Sequence, residues 1–204
     1  MVMPKRFQTV GPIIATYDYT DIAEGTGIIT FNACAAKNSA GTTYFLTKNT
    51  LNSATIGSTL STPQDNDYDA VFNIPRRVQG TAYVNITLGA NATAPNNRVM
   101  TVTVTLKHYD GSTETNLAAT QTSASFEITQ GTISSRMDCF KIPITTEKDF
   151  KKGDILRLTV TTATSAGSGS YGYGHDPADR DNDNYFLAAH STKLQILVPF
   201  RIEV

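Results

Sequence analysis

The sequence has 204 residues, with 17 basic and 18 acidic side chains and two cysteines. This balance lacks the basic excess that nucleic-acid binding or a membrane-surface patch needs. No apolar run approaches the roughly 20 residues of a membrane span, and the first residues lack the apolar core of a signal peptide. We therefore predict a protein made in a cytoplasm, with Cys34 and Cys139 as buried free thiols.

The composition favours a β-rich protein whose surface is largely uncharged. Only 17% of the residues are charged, and about thirty are threonines, which favour half-exposed strands. Such surfaces are common in proteins that are covered by copies of themselves. Residues 1–16 carry two prolines and a basic pair, so we predict an N-terminal arm followed by one domain over residues 17–204.

Alternation of apolar and polar residues predicts most of the strands. In the first half of the chain these are Ile28–Ala35, Thr42–Thr47, Ala70–Pro75, Gln79–Ala90 and Arg98–Gly111. In the second half they are one bent or two short strands in residues 113–129, then Met137–Ile144, Asp154–Thr164 and a closing strand within 190–204.

Three polar stretches are interpreted as irregular. Residues 49–69 are predicted as a loop with one short strand near 53–59, and residues 145–154 as a loop or short helical turn. Residues 165–186 form a glycine- and aspartate-rich insert between the last two strands. About eight to ten strands without helical periodicity predict an all-β fold, an antiparallel β-sandwich of the jelly-roll type.

The insert offers a candidate metal site. Asp179, Asp181 and Asp183 alternate there, and hard oxygen ligands at alternate positions suit Ca²⁺. The pattern departs from an EF-hand loop, because Asn184 follows in place of glycine and His190 stands in place of the last glutamate. A solvated loop without a cation is the alternative, and no other cofactor is indicated.

Two further pairs are candidates for interaction. Tyr171 and Tyr173 alternate with glycines, which predicts exposed aromatic rings for a glycan or protein, or a loop packed on a neighbouring subunit. Arg76 and Arg77 are predicted to pair with acidic residues of a neighbouring copy, or to form an exposed pair on a turn. No metal-binding histidine spacing or nucleophile motif is present, so we predict no enzymatic activity.

Three segments carry a resemblance to a known group of proteins. ATYDYTDIAEGTGIITFNA (15–33), FKKGDILRLTV (150–160) and TKLQILVPFRIEV (192–204) resemble small structural proteins of tailed bacteriophages, especially environmental ones. The resemblance implies a jelly-roll virion component, either a capsid decoration (cement) protein or a head or tail fibre component.

For a decoration protein, the resemblance implies self-association, often as a homotrimer, and binding to the major capsid protein in a virion assembled in the host cytoplasm. The alternative function is a carbohydrate- or receptor-binding module of a head or tail fibre. That module would use the loop of tyrosines, glycines and aspartates, with Ca²⁺ as a possible ligand.

Overall fold

The computed structural model describes residues 27–38, 41–49, 59–60, 65–93, 97–164, 168–175, 177 and 193–200. Every regular element in these ranges is a β-strand, so none contains a helix that could span a membrane. The strands are β1 (Ile28–Asn38), β2 (Gly41–Thr47), β3 (Thr59–Leu60), β4 (Asp65–Val71), β5 (Arg76–Thr93), β6 (Arg98–Tyr109), β7 (Glu114–Asn116), β8 (Gln121–Thr122), β9 (Phe126–Ile128), β10 (Ile133–Phe150), β11 (Ile155–Thr164), β12 (Ser168–Tyr173) and β13 (Gln195–Pro199).

The strand order is that of a jelly roll. The first sheet runs β10-β5-β13-β1, and β12 with β3 lies beside the far half of β5. The second sheet runs β2-β4-β11-β6, with β7, β8 and β9 pairing in turn along β6. Without the inserted β4 and the short additional strands, this is the order of two interlocked Greek keys. The predicted all-β jelly-roll sandwich is therefore confirmed.

One strand belongs to both sheets. The first residues of β1, from Ile28 to Asn32, pair with β13, and the rest, from Asn32 to Asn38, pair with β2. Both pairings are antiparallel, whereas β2 meets β4 in a single parallel bridge. The hydrogen-bonded ladder therefore passes continuously from one sheet to the other along this side of the sandwich.

The core lies between the sheets and is built mainly by alternation along the strands. In β6, Met100, Val102 and Val104 are fully buried, while the threonines between them face outward. In β5 and β10, the even-numbered residues from Val78 to Ala92 and from Phe140 to Ile144 supply most of the opposite wall. This period of two is what a sheet buried on one face requires.

Three predictions of local structure were wrong. Residues 65–69 belong to a strand, because Asn66 and Tyr68 point into the core and β11 supplies partners for the aspartates between them. Residues 145–150 continue β10, which passes Pro143 and shifts register after Ile144. Residues 168–173 form β12 rather than a loop. The predicted arm, residues 1–16, lies outside the described residues.

Candidate functional site

The two sheets present outer faces of different chemistry. The outer side of the second sheet carries what we call the charged face, in which Thr159 is buried under its neighbours: Asp65, Asp67, Asp69, Lys107, Glu114, Arg157, Thr159 and Thr161. Thr159 donates to Asp67 at 2.6 Å, and Thr161 donates to Asp65 at 3.0 Å. The hydrogen-bonding capacity of this face is thus used within the chain itself.

Arg157 is the centre of the charged face. Its Nε and one terminal nitrogen hold both oxygens of Asp69 at 2.7 Å, and the other terminal nitrogen reaches Asp67 at 3.2 Å and also Glu114. The guanidinium lies 4.9 Å from the ring centre of Tyr109. The hydrogen bonds to Asp69 raise the pKa of Arg157 above its ordinary value, and Lys107 and then Arg157 lower the pKa of Glu114.

The first sheet exposes a second surface, which we call the neutral face: Thr30, Thr81, Tyr83, Asn85, Ile133, Met137, Cys139, Lys141, Pro143 and Leu197. Lys141 is the one charged side chain in this set, and the ion pair of Arg77 and Asp149 lies further along the same two strands. Tyr83, Ile133 and Met137 are 37%, 43% and 53% exposed, which is high for large apolar residues.

The neutral face has the composition of a protein interface. Interface centres are depleted of charge and enriched in tyrosine and methionine, and exposed apolar patches mark interaction surfaces. Tyr83 lies between Lys141 on β10 and Leu197 on β13, so the patch crosses three strands. Among the described residues, β10 forms a strand ladder only with β5, and on its other side Arg136 donates to the carbonyls of Ala124 and Ser125.

The prediction that Tyr171 and Tyr173 are exposed was wrong. Both side chains are fully buried, because β12 pairs them with Ala90 and Leu88 of β5 and turns their rings into the core. Burial raises the pKa of Tyr171, and it raises the pKa of Tyr173 to about 12. Of the glycines that suggested a flexible loop, Gly172 lies between the two tyrosines in β12 and Gly174 directly follows the strand.

Tyr173 joins the two sheets through a buried polar cluster. Asn66 Nδ2 of β4 donates to its hydroxyl at 2.7 Å, and the hydroxyl of Tyr68 lies 3.0 Å from it. The rings of Tyr44 and His175 pack edge-on around the same group. The cluster fixes β12 against β4 from inside the sandwich.

We expect Tyr173→Phe to lower the free energy of unfolding by about 1–3 kcal/mol, because it removes the acceptor of a buried amide. Tyr109→Phe is the matched control, since that hydroxyl donates to Gly111 in an exposed turn. Urea unfolding of both variants measures the difference. Equal effects of the two substitutions would contradict the importance of the buried cluster.

Arg76 and Arg77 make contacts within the chain. Arg77 pairs with Asp149 at 2.7 Å and with Glu147 at 3.6 Å, while the guanidinium of Arg76 lies 5.9 Å from the ring centre of Phe200. Both arginines open β5 and face the end of β10. Their predicted contact with a neighbouring copy stays a prediction.

A hydrogen-bonded histidine–carboxylate pair lies in the interior and was not predicted. His108 Nε2 of β6 and Asp154 Oδ2 are 2.6 Å apart, with side chains only 8% and 10% exposed. The same oxygen accepts the backbone N–H of Lys151 at 2.8 Å, and the ring of Phe150 packs edge-on against the imidazole at 4.6 Å. The pair thus fixes the turn between β10 and β11.

The remaining predictions concern the metal and the thiols. Asp179, Asp181 and Asp183 lie outside the described residues, so the proposed Ca²⁺ site stays a prediction. The described residues contain no group of three metal-ligating side chains. Cys34 is buried as predicted, but Cys139 is exposed, because Phe140 takes the inward position of β10.

Comparison with known proteins gives weak structural similarities. No protein-family model matches the chain, and no curated protein matches it. A CocE/NonD family hydrolase from Staphylococcus aureus is similar over 85% of this chain and 36% of its own, at 11% identity and a TM-score of 0.47. The VP2 subviral particle of infectious bursal disease virus is similar over 67% of this chain and 36% of its own, at 14% identity and a TM-score of 0.33.

The structure of the Gx strain of the same virus is similar over 84% of this chain and 57% of its own, at 12% identity and a TM-score of 0.34. This chain therefore spans less than two thirds of each of these chains. Similarities at this level carry no argument about function.

Proposed function

We propose that this chain is a non-catalytic structural subunit of a virion, which assembles through its neutral face. The observation that supports the proposal is the contrast between the two outer faces. The charged face satisfies its carboxylates with Arg157, Lys107 and threonine hydroxyls, whereas the neutral face leaves Met137 and Tyr83 in solvent. Covering exposed apolar side chains such as those of the neutral face with another protein lowers the free energy.

In its finer form, the proposal is a capsid decoration protein on the outside of a tailed-bacteriophage head. Copies would form a symmetric homotrimer and bind the major capsid protein at many equivalent positions. Because each subunit is tethered to its neighbours, modest contacts add up through effective concentration. The resemblance of the chain's end segments to tailed-phage structural proteins supports this form.

The alternative, a glycan- or receptor-binding fibre module, has less support. This alternative needs Tyr171 and Tyr173 as exposed aromatic contacts, and both are buried in the core. What remains of it is the aspartate loop with its Ca²⁺. A bound cation would raise the melting temperature. A fall in Tm on adding EDTA would therefore favour the fibre module, whereas an unchanged Tm would favour the structural role.

We expect the purified chain to be an oligomer whose mass falls to that of one chain in the Tyr83→Glu/Met137→Glu variant. Two carboxylates in an apolar contact cost several kcal/mol of association, because a buried unpaired charge is strongly disfavoured. Light scattering measures the mass. Both positions point outward, so the melting temperature should stay within a few degrees.

Thr115→Glu is the matched control, since Thr115 is an exposed residue of β7 at the edge of the second sheet. It adds a carboxylate to a strand without touching the neutral face, and the oligomer should survive. A wild-type chain that remains a monomer at high concentration would refute assembly through this face. Equal dissociation by the control variant would refute the role of the neutral face.

A further inference from the structure

One end of the sandwich is closed by two turns that are hydrogen-bonded to each other. Residues 72–75 connect β4 to β5, and residues 151–154 connect β10 to β11. The Phe72 N–H donates to the Asp154 carbonyl at 2.9 Å, and the Gly153 N–H donates to the Phe72 carbonyl at 2.8 Å. The two turns therefore form one surface with fixed geometry.

Cationic side chains gather on this surface, which we call the basic end: Arg76, Arg77, Lys148, Lys151 and Lys152. The carboxylates of Glu147 and Asp149 lie beside them, and both contact Arg77. Lys151 and Lys152 are exposed, and neither makes a salt bridge with another described residue. The basic end thus carries an excess of positive charge, although the whole chain has a net charge of -1.

The same surface exposes apolar side chains. Val71 is 58% exposed and Ile74 is 37% exposed, on either side of the turn that Gly153 and Asp154 hold in place. A surface that combines lysines with exposed aliphatic groups fits an acidic peptide with apolar or aromatic side chains.

The chain itself contains a peptide of this composition shortly before β1 in the sequence. Residues 17–24, YDYTDIAE, carry three carboxylates, two tyrosines and an isoleucine, and no lysine or arginine. The segment precedes Gly27, whose carbonyl accepts the Phe200 N–H, and Phe200 in turn pairs with Val78 and lies under Arg76. The chain therefore joins the sandwich beside the basic end, and ten residues can span up to about 35 Å.

We propose that residues 17–24 dock on the basic end of their own chain. Asp18, Asp21 and Glu24 contact Lys151 and Lys152, and the aromatic and aliphatic side chains of the segment cover Val71 and Ile74. Attachment through Gly27 favours the same copy, because a short tether gives an effective concentration in the millimolar range. This docking is independent of the proposed virion role, since it involves neither the neutral face nor a partner protein.

The test is zero-length carbodiimide cross-linking of the full chain, followed by mass spectrometry of its peptides. This reagent joins a carboxylate to an amine only where the two are in contact. We expect links from the peptide that contains residues 17–24 to Lys151 or Lys152. Lys107 and Glu114, whose charged atoms lie 2.9 Å apart, provide the internal positive control.

Lys141 provides the negative control, because it lies on the neutral face and should give no link to residues 17–24. If the Lys107–Glu114 link forms and no link reaches Lys151 or Lys152, the proposal is overturned. It is also overturned if the segment links equally to Lys141. In a mixture of isotopically heavy and light chains, links between heavy and light peptides would overturn docking within one chain.

A charge exchange separates contact from mere proximity. Lys151→Glu/Lys152→Glu should reduce the equilibrium constant for docking about fivefold, as expected for roughly 1 kcal/mol from exposed charge pairs, with a corresponding rise in amide hydrogen exchange over residues 17–24. Adding Asp18→Lys and Asp21→Lys to that variant should restore protection against exchange. If the combined variant gains no protection, the electrostatic part of the proposal is refuted.

Discussion

Replacing Asp154 by alanine is expected to lower the free energy of unfolding by about 3 kcal/mol, because it leaves two buried hydrogen-bonding groups without their charged partner. The substitution removes the acceptor of His108 and that of the Lys151 backbone N–H together. The turn between β10 and β11 loses both of these bonds at once. Guanidinium unfolding measures the change. It is followed by far-UV circular dichroism, because the chain has no tryptophan whose fluorescence could report unfolding.

Asp149→Ala is the matched control for this prediction. Asp149 pairs with Arg77, but its side chain is 65% exposed. Exposed pairs contribute at most about 1 kcal/mol, so this variant should be close to wild type. A loss of similar size in both variants would show that burial of the His108–Asp154 pair is unimportant.

Acid should lower the free energy of unfolding, because Asp154 and Asp110 are stabilised as carboxylates. The hydrogen bond from His108, and next the Lys151 N–H, lower the pKa of Asp154, while the backbone N–H groups of Thr113 and Ser112 lower that of Asp110 to about 2. A carboxyl whose pKa is lower in the folded protein stabilises the fold fully at pH values above its pKa in the unfolded chain, which is near 4. This stabilisation is lost as the pH falls through the pKa of the folded protein. We expect stability to fall between about pH 4 and pH 2, and less so in Asp154→Asn.

The second large effect is expected from Arg157→Met, which should lower the free energy of unfolding by about 2–3 kcal/mol at neutral pH. Methionine preserves much of the side-chain volume but leaves three neighbouring carboxylates, those of Asp67, Asp69 and Glu114, without their shared cation. Arg157 is only 16% exposed. Breaking its ion pairs therefore costs more free energy than breaking an exposed ion pair.

The pH dependence of this variant distinguishes electrostatic repulsion from lost packing. Protonation of crowded carboxylates removes their mutual repulsion, so the difference between variant and wild type should shrink as the pH falls below about 4. Lys107→Met is the control, since it removes a cation that contacts Glu114 alone among the described carboxylates. A deficit that stays constant with pH would assign the effect to packing.

The sequence was informative wherever one face of a strand is buried and the other is polar. In β6, the alternation from Val99 to Leu106 predicted the strand, and every even-numbered residue from Met100 to Leu106 is buried. β4 escaped prediction because Asp65, Asp67 and Asp69 suggest a loop when their partners on β11 are unknown. Those partners lie some ninety residues away, so only the three-dimensional pairing explains the strand.

Interactions between distant residues were also the ones missed at the candidate sites. Tyr171 and Tyr173 belong to a strand because β5 pairs with them, whereas the local sequence shows mainly glycine. His108 and Asp154 are joined only through the pairing of β6 with β11, and no local motif indicates it. The neutral face likewise depends on knowing that β10, β5 and β13 are neighbours.

The sharing of β1 between the two sheets has a consequence for how the protein folds. Ile28 pairs with Pro199, so β1 needs a partner that is synthesised about 170 residues later. At ordinary translation rates this interval is roughly 10–30 s, during which one edge of the first sheet stays open. Contacts so distant in sequence also slow folding, because a long loop must close before they form. We therefore expect folding to be slow, with the β1–β13 pairing as a late event.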